Sequence, residues 1–366
     1  MKAAAVALAA LILIAAAGPS AAEPIFLSRQ YTRCTNCHFS AAGGGLLTDY
    51  GRSLSREELS TFGKSSGSEP PGREHEFLFG LLGDAAGPVS LGVDLWPAHL
   101  DVDASGFTET RNFIMNADIM IAVRHENWTA YGELGRQPRG DDARITSFEH
   151  WLGYQATHLG ARAGRFLPAY GIRFSDHTSF TRATLGLDTD DQVYALELNY
   201  SDDRHLVQVS AGEHADPSHD FTASARWQFD LTSRAALVAS GLFRDASDTD
   251  SRNGAAGLAL GIAPTPRWAV WIQGDARFRE EADSGTRAYT LLGEASFEVH
   301  RGVWLKFSPQ LVTEFGDTSA GIVRFVLGLN LLPRTHWNVV VNGYHDRDRK
   351  SDGTANTLLA QLHLYL

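Results

Sequence analysis

Apolar and polar side chains alternate along successive segments of the chain from about residue 88 onward. In one example Ala117, Ile119 and Ile121 share one face of a segment, and Asp118 and Met120 share the other. A period of two over about ten residues is typical of a β-strand with one apolar side. The pattern predicts sixteen strands, at about 89–102, 111–125, 128–137, 144–157, 159–168, 192–201, 204–213, 219–229, 234–244, 254–263, 267–279, 286–299, 303–314, 320–332, 336–346 and 355–366.

The connections between these segments alternate in length. Short polar turns fall near Asn127, His158 and Arg301, whereas a longer loop spans 245–253. An even strand number, a meander of neighbouring strands and this alternation are typical of an outer-membrane β-barrel. The predicted fold is therefore an all-β, antiparallel barrel of about sixteen strands over residues 89–366. A soluble β-sandwich or soluble barrel is the alternative, but neither explains why every second connection is short.

The same alternation predicts which side chains face lipid and which face the lumen. Phe113 and Met115 fall on the apolar, lipid-facing side of their segment. The predicted lumen side is polar and includes Asn116, Asp118, Met120, Glu197, Gln361 and His363. An aromatic girdle at the membrane interface is expected near strand ends. The candidates for it are Trp128, Trp151, Trp227, Trp268, Trp304 and Trp337.

The longest predicted connection spans about 169–191, between the fifth and sixth strands. Long loops in a compact fold are usually functional, so this one either folds into the lumen or remains a mobile surface loop. Two acidic clusters, Asp188–Asp191 and Asp245–Asp248, have two interpretations. They attract cations, or they are solvated loop charges.

The chain begins with the pattern of a secretory signal peptide over residues 1–22. Lys2 precedes an apolar run at 3–17, and small residues follow before Glu23. A transmembrane anchor is the alternative, but a spanning helix needs about 20 apolar residues. We expect a small module with short helices at 23–68 and a linker to the barrel at 69–88.

Composition narrows the possible partners and activities. The formal net charge of −11 argues against nucleic-acid binding and against simple attraction to anionic lipid headgroups. Contact with outer-membrane lipid is instead expected through the apolar outer face of the barrel. No Ser/His/Asp triad, paired-carboxylate site or phosphate-binding loop stands out in the sequence, so we expect no hydrolytic or group-transfer enzyme.

The pentad Cys34-Thr35-Asn36-Cys37-His38 contains both cysteines of the chain. C-x-x-C-H is the attachment signature of c-type haem, in which the two thiols form thioethers and the histidine is an axial iron ligand. A thioredoxin-type redox site would require a βαβ pattern, which is not present. A structural zinc site would require four ligands, usually from two such clusters. The pentad therefore predicts one covalent haem c held by Cys34, Cys37 and His38.

The sixth ligand of the haem iron is not evident from the sequence. No methionine lies between the pentad and the predicted barrel. The candidates are Met120 on the predicted lumen face and His75 near the linker, followed by His150 and His177. Each of these four is also explained as an ordinary lumen or loop residue.

The order of these features resembles the fused monohaem cytochrome–porin family of bacterial outer membranes. The resemblance rests on the signal peptide, the pentad, the Tyr50-Gly51-Arg52 element and the sixteen strands, supported by Phe26, Arg29 and Gln30. Where the family has a Pro-x-Leu-x-x-Phe-Gly-Arg-like run, this chain is Gly-rich and continues as Leu46-Leu47-Thr48-Asp49.

Members of that family studied as Fe(II) oxidases take electrons from iron outside the cell and pass them to periplasmic carriers. The resemblance implies haem c as cofactor, Fe(II) as an extracellular donor and a soluble periplasmic c-type cytochrome as acceptor. It also implies an Fe(II):cytochrome oxidoreductase activity. An even number of strands that starts in the periplasm places both termini on the periplasmic side of the outer membrane.

Two functions follow from a haem module joined to a barrel. The first is electron transfer across the outer membrane through a single haem in or at the mouth of the barrel. The alternative is a diffusion porin in which the haem module is a plug or a sensor. A soluble periplasmic cytochrome with a β-sandwich domain is a third interpretation.

Overall fold

The computed structural model describes residues 24–40, 42–55, 88–137, 144–174, 176, 178–185, 187, 191–215, 220–246, 251–281 and 284–365. The predicted signal peptide and nearly all of the predicted linker lie outside these ranges. So do His75 and His177, as well as Asp188, Asp190 and Asp248 of the two acidic clusters.

Sixteen antiparallel strands form one closed barrel, as the alternation predicts. Each strand pairs with its neighbours in the sequence, and the first strand pairs with the last. The strands are β1 (Val89–Ala104), β2 (Phe107–His125), β3 (Trp128–Gln137), β4 (Arg144–Gln155), β5 (Leu159–Phe166), β6 (Val193–Ser201), β7 (His205–His214), β8 (Phe221–Thr232), β9 (Ala235–Ala246), β10 (Ser251–Ile262), β11 (Trp268–Glu281), β12 (Ser284–His300), β13 (Val303–Glu314), β14 (Asp317–Arg334), β15 (Trp337–Asp348) and β16 (Thr354–Tyr365).

The two ends of the barrel differ in their connections. One end carries short turns, such as those at 126–127 and 202–204, and we call it the short-turn end. The opposite, long-loop end carries the connection between β5 and β6, which spans 167–192. It also carries two-residue connections at 105–106 and 315–316, so the predicted alternation of short and long connections is only partly correct. Strand β1 begins and strand β16 ends at the short-turn end, because an even number of strands returns the chain to the side where it started.

Among the described residues, helical structure is confined to short pieces. Two 3₁₀ helices, Pro24–Arg29 and Cys34–Asn36, and the helix α1 (Asp49–Leu54) precede the barrel. The helix α2 (Phe180–Ala183) lies in the connection between β5 and β6. Within the described residues no helix has the length and apolar composition needed to cross a membrane.

The outer face of the barrel is apolar. Leu258 is 62% exposed and Leu327 is 68% exposed, and Ile119, Leu196 and Leu198 also point outward. Monomeric soluble proteins rarely expose an apolar surface that continues around the molecule, whereas lipid favours one. The inner face carries the predicted polar lumen residues, all of which are buried: Asn116, Asp118, Glu197, Gln361 and His363.

The predicted aromatic girdle is only partly correct. Trp128, Trp227 and Trp268 point outward near the short-turn end and are exposed, as expected of residues at a membrane interface. Trp151 and Trp304 are instead buried and belong to inward-facing clusters. Their positions along the strands were predicted correctly, but their faces were not.

The prediction that Phe113 and Met115 face lipid is wrong. Phe113 is half-buried and packs against the same inward-facing cluster as Met115. Met115 is fully buried and packs with Trp96, Leu100 and Tyr344 inside the barrel. The register between β1 and β2 shifts at Trp96 and Pro97, which inserts an extra residue into β2. A bulge of this kind reverses the alternation on one side of it, so Met115 and Asn116 both point inward.

Candidate functional site

The residues before the barrel lie inside its lumen. We call residues 24–40 and 42–55 the luminal plug. Ile25 packs against Trp304 and Leu332, and Leu27 belongs to a buried cluster with Trp271. These strand residues face inward, so the plug occupies the lumen at the short-turn end.

Two arginines join the plug to strand ends. Arg29 pairs with Glu298 of β12 at 2.5 Å. Arg33 pairs with Asp230 of β8 at 2.7 Å, and its Nη1 donates to the carbonyl oxygen of Asp202 at 2.7 Å. Both pairs are largely shielded from solvent, where ion pairs are screened less than at the surface. Because Arg33 directly precedes Cys34, its contacts fix the start of the pentad.

The pentad forms one tight turn. The backbone N–H groups of Cys37 and His38 both donate to the carbonyl oxygen of Cys34, at 3.1 and 3.0 Å. Both thiols are free and lie on the wall of one pocket. Burial raises the pKa of the Cys37 thiol to about 11, and the nearby Cys34 adds to this effect.

Helix α1 packs directly on the pentad. Thr48 caps the helix by accepting a hydrogen bond from Gly51 N at 3.1 Å, and Thr48 N donates to Cys37 O at 2.8 Å. A Cβ at Gly51 would lie 2.4 Å from Cys37 O, so only glycine allows this approach. The Tyr50-Gly51-Arg52 element therefore supports the second cysteine. Arg52 in turn donates to the carbonyl oxygen of Leu91 in β1.

The ring of His38 lies beside a glycine turn. Gly43, Gly44 and Gly45 all have positive φ, which bends the chain back so that His38 forms a bridge with Leu47. Burial lowers the pKa of His38 to about 4, and the positive charge of Arg173 adds to this effect. The neutral imidazole favoured here is the form that coordinates iron.

The connection between β5 and β6 folds into the lumen. We call its described residues within 167–192 the lumen loop. Its backbone donates from Gly171 N to Ser240 Oγ and from Ile172 N to Gln273 Oε1, both at 2.9 Å. On another side of the barrel, Arg324 Nη1 donates to Thr178 O at 2.9 Å. The structure therefore confirms, for the described residues, the interpretation in which this connection folds into the lumen.

A pocket lies between the plug and the lumen loop. It encloses about 700 Å³, a volume that includes space open to solvent. Cys34, Cys37 and His38 line it from the plug. Apolar and aromatic walls are supplied by Phe26, Ala42, Ala169, Ile172 and Trp271.

The pocket is also cationic. Arg173 and Arg182 of the lumen loop and Arg226 of β8 line it, together with Arg33. Arg226 donates to the carbonyl oxygen of Gly171 at 2.9 Å and to side-chain amides, which are neutral acceptors. Guanidinium groups held this way favour ligands that carry carboxylates.

The lining suits a c-type haem, which is a flat, largely apolar ring with two carboxylate side chains. Cys34 and Cys37 would hold it as thioethers and His38 would bind its iron. The apolar wall suits the ring, and the arginines suit the carboxylates. The residues present in this pocket therefore fit the group that the pentad predicts.

The proposed sixth ligands are not brought together with the pentad. Met120 points into the lumen as predicted, but it packs with Leu46 and Tyr131 and does not line the pocket. His150 is exposed on the outer face and contacts Ser147. His75 and His177 lie outside the described residues. Among the described lining residues, only His38 has an imidazole and none is a methionine.

Sequence reasoning missed the arginines of the pocket. Arg226 lies at an inward-facing position of an alternating strand, and a charge on the predicted lumen face was an available signal. Arg173 and Arg182 lie in a loop, where alternation gives no information. Their proximity to the pentad depends on the loop folding inward.

No family model and no curated protein matches the chain. Solved structures do match its fold. An outer-membrane protein, OmpT of Vibrio cholerae, has a TM-score of 0.62 at 12% identity, covering 76% of this chain and 97% of that chain.

Two further structures have the same fold. The anion-selective porin from Comamonas acidovorans has a TM-score of 0.60 at 10% identity, covering 76% of this chain and 99% of that one. OprB of Pseudomonas putida at high pH has a TM-score of 0.58 at 9% identity, covering 76% and 94%. At these identities the likeness shows the fold alone, and that fold is a porin-like, sixteen-stranded outer-membrane barrel.

Proposed function

We propose that this protein resides in the bacterial outer membrane and carries electrons across it through one covalent haem c in the barrel lumen. The observation that supports this most directly is the pocket between the plug and the lumen loop. All three chemical groups of the haem-attachment signature line that pocket, inside a barrel whose outer face is apolar.

Each part of the pocket has a role on this proposal. Cys34 and Cys37 fix the haem covalently, His38 binds its iron, and Arg226 lies where a guanidinium can complement a carboxylate side chain. When bound, the haem supplies a one-electron carrier. The plug and the lumen loop fill the lumen around it and limit the passage of water and ions.

The plug also offers a route for electrons at the short-turn end. Thr35 and Asn36, between the two cysteines, are exposed, and so is Tyr50 of α1. A soluble c-type cytochrome that docked on these residues would approach the thioether side of the pocket. We therefore place the periplasm, the acceptor and both termini at this end, and the extracellular donor, with Fe(II) as the leading candidate, at the other.

The decisive experiment is a haem assay on detergent-purified protein. We expect haem fluorescence or peroxidase staining to follow the polypeptide on a denaturing gel, because the thioethers survive unfolding. Cys34→Ala with Cys37→Ala should abolish the stain while the barrel still folds. Porphyrin lost from the native chain on denaturation would contradict the proposal.

Rapid mixing with Fe(II) then tests the donor. Reduction of the haem, followed by its visible absorption, is expected if iron is the donor. Haem that stays oxidised under favourable driving force would exclude Fe(II) and leave haem attachment intact.

A diffusion porin whose haem module is a plug is the second candidate, and the porin-like fold favours it. The plug and the lumen loop argue against free diffusion, because together they contact strands on several sides of the lumen. Liposome swelling separates the two functions. Entry of small sugars would favour the porin, and exclusion of sugars would favour the electron carrier.

A further inference from the structure

A second pocket lies at the long-loop end of the lumen. It is distinct from the pocket lined by Cys34, Cys37 and His38, which we call the haem pocket. It encloses about 560 Å³, including space open to solvent. Arg244 of β9 and Arg277 and Arg279 of β11 line it, together with Thr184 and Leu185 of the lumen loop. We call it the arginine pocket. Of the described residues that line it, none is an aspartate or a glutamate.

Two of the guanidinium groups are held in place. Arg277 is buried and donates to the carbonyl oxygens of Thr184 and Thr313 at 3.2 and 2.8 Å. Arg279 Nε donates to Asn253 Oδ1 at 3.2 Å. Both guanidinium groups also lie over the ring of Phe315, at 5.0 and 4.5 Å from its centre.

These contacts leave donors for a ligand. Arg277 Nε is buried and has no acceptor among the described residues. The terminal nitrogens of Arg279 form no hydrogen bond within the described part of the chain, and the residue is exposed at the mouth of the lumen. Fixed, incompletely satisfied guanidinium groups are the usual protein partners of carboxylates.

Carboxylates also lie near this pocket: exposed Glu280 and Glu281 follow Arg279, and the charge of Asp275 attracts Arg277. Asp275 precedes Arg277 by two residues, but its carboxylate accepts hydrogen bonds from Tyr170 and Gln273 deeper in the lumen. Asp245, from one of the acidic clusters, pairs with Arg252 at 3.8 Å. The described lining of the pocket is therefore cationic, on a chain whose net charge is −11.

We propose that the arginine pocket binds small polycarboxylate anions, and that Fe(II) reaches the lumen as a carboxylate chelate rather than as the bare dication. The guanidinium groups of Arg277 and Arg279 repel a free dication but attract an anionic chelate. The second part of this inference rests on the proposed electron-transfer function. The ferrous chelate would give up one electron to the lumen carrier and leave as the ferric chelate, with no bond or proton exchanged.

The two pockets are separated by a thin layer of side chains. Tyr170 lines the haem pocket and packs in one cluster with Leu242, which lines the arginine pocket. An anion seated on the arginines would therefore face the haem pocket across this layer. That arrangement suits an electron donor that remains outside the lumen core.

Titration calorimetry with citrate tests the site on the full-length, detergent-purified protein. We expect citrate to bind at low ionic strength and the affinity to fall as salt is added. Arg279→Gln should weaken binding about tenfold, since it removes charge-assisted hydrogen bonds. Arg279→Lys should bind with intermediate affinity. Arg252→Gln is the control, because Arg252 belongs to the same end of the barrel but does not line the pocket.

Two results would overturn the proposal: no citrate binding to the native protein at low salt, or equal binding by native protein and Arg279→Gln. Mixing with ferrous citrate keeps this inference separate from the proposed function. If citrate binds through Arg279 but ferrous citrate leaves the haem oxidised under favourable driving force, the anion site stands and the iron chelate is excluded as the electron donor. If bare Fe(II) reduces the haem as fast as the chelate, the chelate is not the preferred donor.

Discussion

The support of the Cys34–His38 turn, where we propose that haem is attached, depends on a single glycine. A Cβ at Gly51 would lie 2.4 Å from Cys37 O and 3.0 Å from Cys37 Cα. Backbone atoms cannot move aside as a flexible side chain can, and Thr48 holds the same carbonyl oxygen from the start of α1. Any larger residue must therefore displace α1 from the pentad.

We expect Gly51→Ala to lower the haem content per polypeptide several-fold, because a displaced α1 no longer supports Cys37. The measurement is the ratio of haem absorbance to protein in purified material. Gly241→Ala is the matched control, because a Cβ there meets nothing within 4 Å. Unchanged haem content in Gly51→Ala would show that the close approach has no role in attachment.

At the scale of single residues, the sequence predicts some members of the site and not others. Cys34, Cys37 and His38 are recognisable because their spacing is local. Arg173 and Arg226 are not, because their closeness to Cys34 arises only when a loop and a distant strand meet. A motif of neighbouring residues can be recognised from the sequence, whereas a pocket assembled from separate segments cannot.

The lumen loop shows how an element without regular structure is kept in place. Tyr170 Oη donates to Asp275 Oδ1 at 2.8 Å, and the adjacent backbone donates to Ser240 and Gln273. Burial and the charge of Asp275 raise the pKa of Tyr170, so this phenol remains a donor at ordinary pH. The loop is thus anchored to β9 and β11, away from its own strands β5 and β6.

Tyr170→Phe removes one of these hydrogen bonds and leaves the ring. A bond of this kind contributes about 1 kcal/mol, so local opening should become about fivefold more frequent. We expect hydrogen exchange at Gly171 and Ile172 to accelerate by that factor. Tyr200→Phe is the control, since Tyr200 donates to Asp202 in an exposed turn. Equal exchange in native protein and Tyr170→Phe would mean that this bond does not hold the loop.

The strands themselves were predictable because alternation reports directly on the two faces of a barrel. The count of sixteen and the meander were correct. The errors concern which face a side chain occupies. Met115 was misplaced because a bulge shifts the strand register, and Trp151 and Trp304 were misplaced because residue type alone does not give the face. Pro97 lies at the shift between β1 and β2, and its missing N–H was a signal of irregular pairing.

The whole molecule combines a closed barrel with a separately held plug. All sixteen strands are paired with neighbours, so closure of the barrel does not require the plug. The plug depends instead on inward packing and on Arg29 and Arg33, which pair with Glu298 and Asp230. On the proposed function, these contacts must persist in the membrane so that ions do not leak through the barrel.

Loosening the plug should therefore raise ion conductance without unfolding the barrel. We expect Arg29→Gln with Arg33→Gln to increase the single-channel conductance in planar bilayers over that of the native protein. Removing each arginine leaves a shielded carboxylate unpaired, which opposes return of the plug. Arg204→Gln is the control, because Arg204 is exposed in a turn at the same end. Equal conductance in all three proteins would mean that packing and the lumen loop close the pore and that the two ion pairs only orient the pentad.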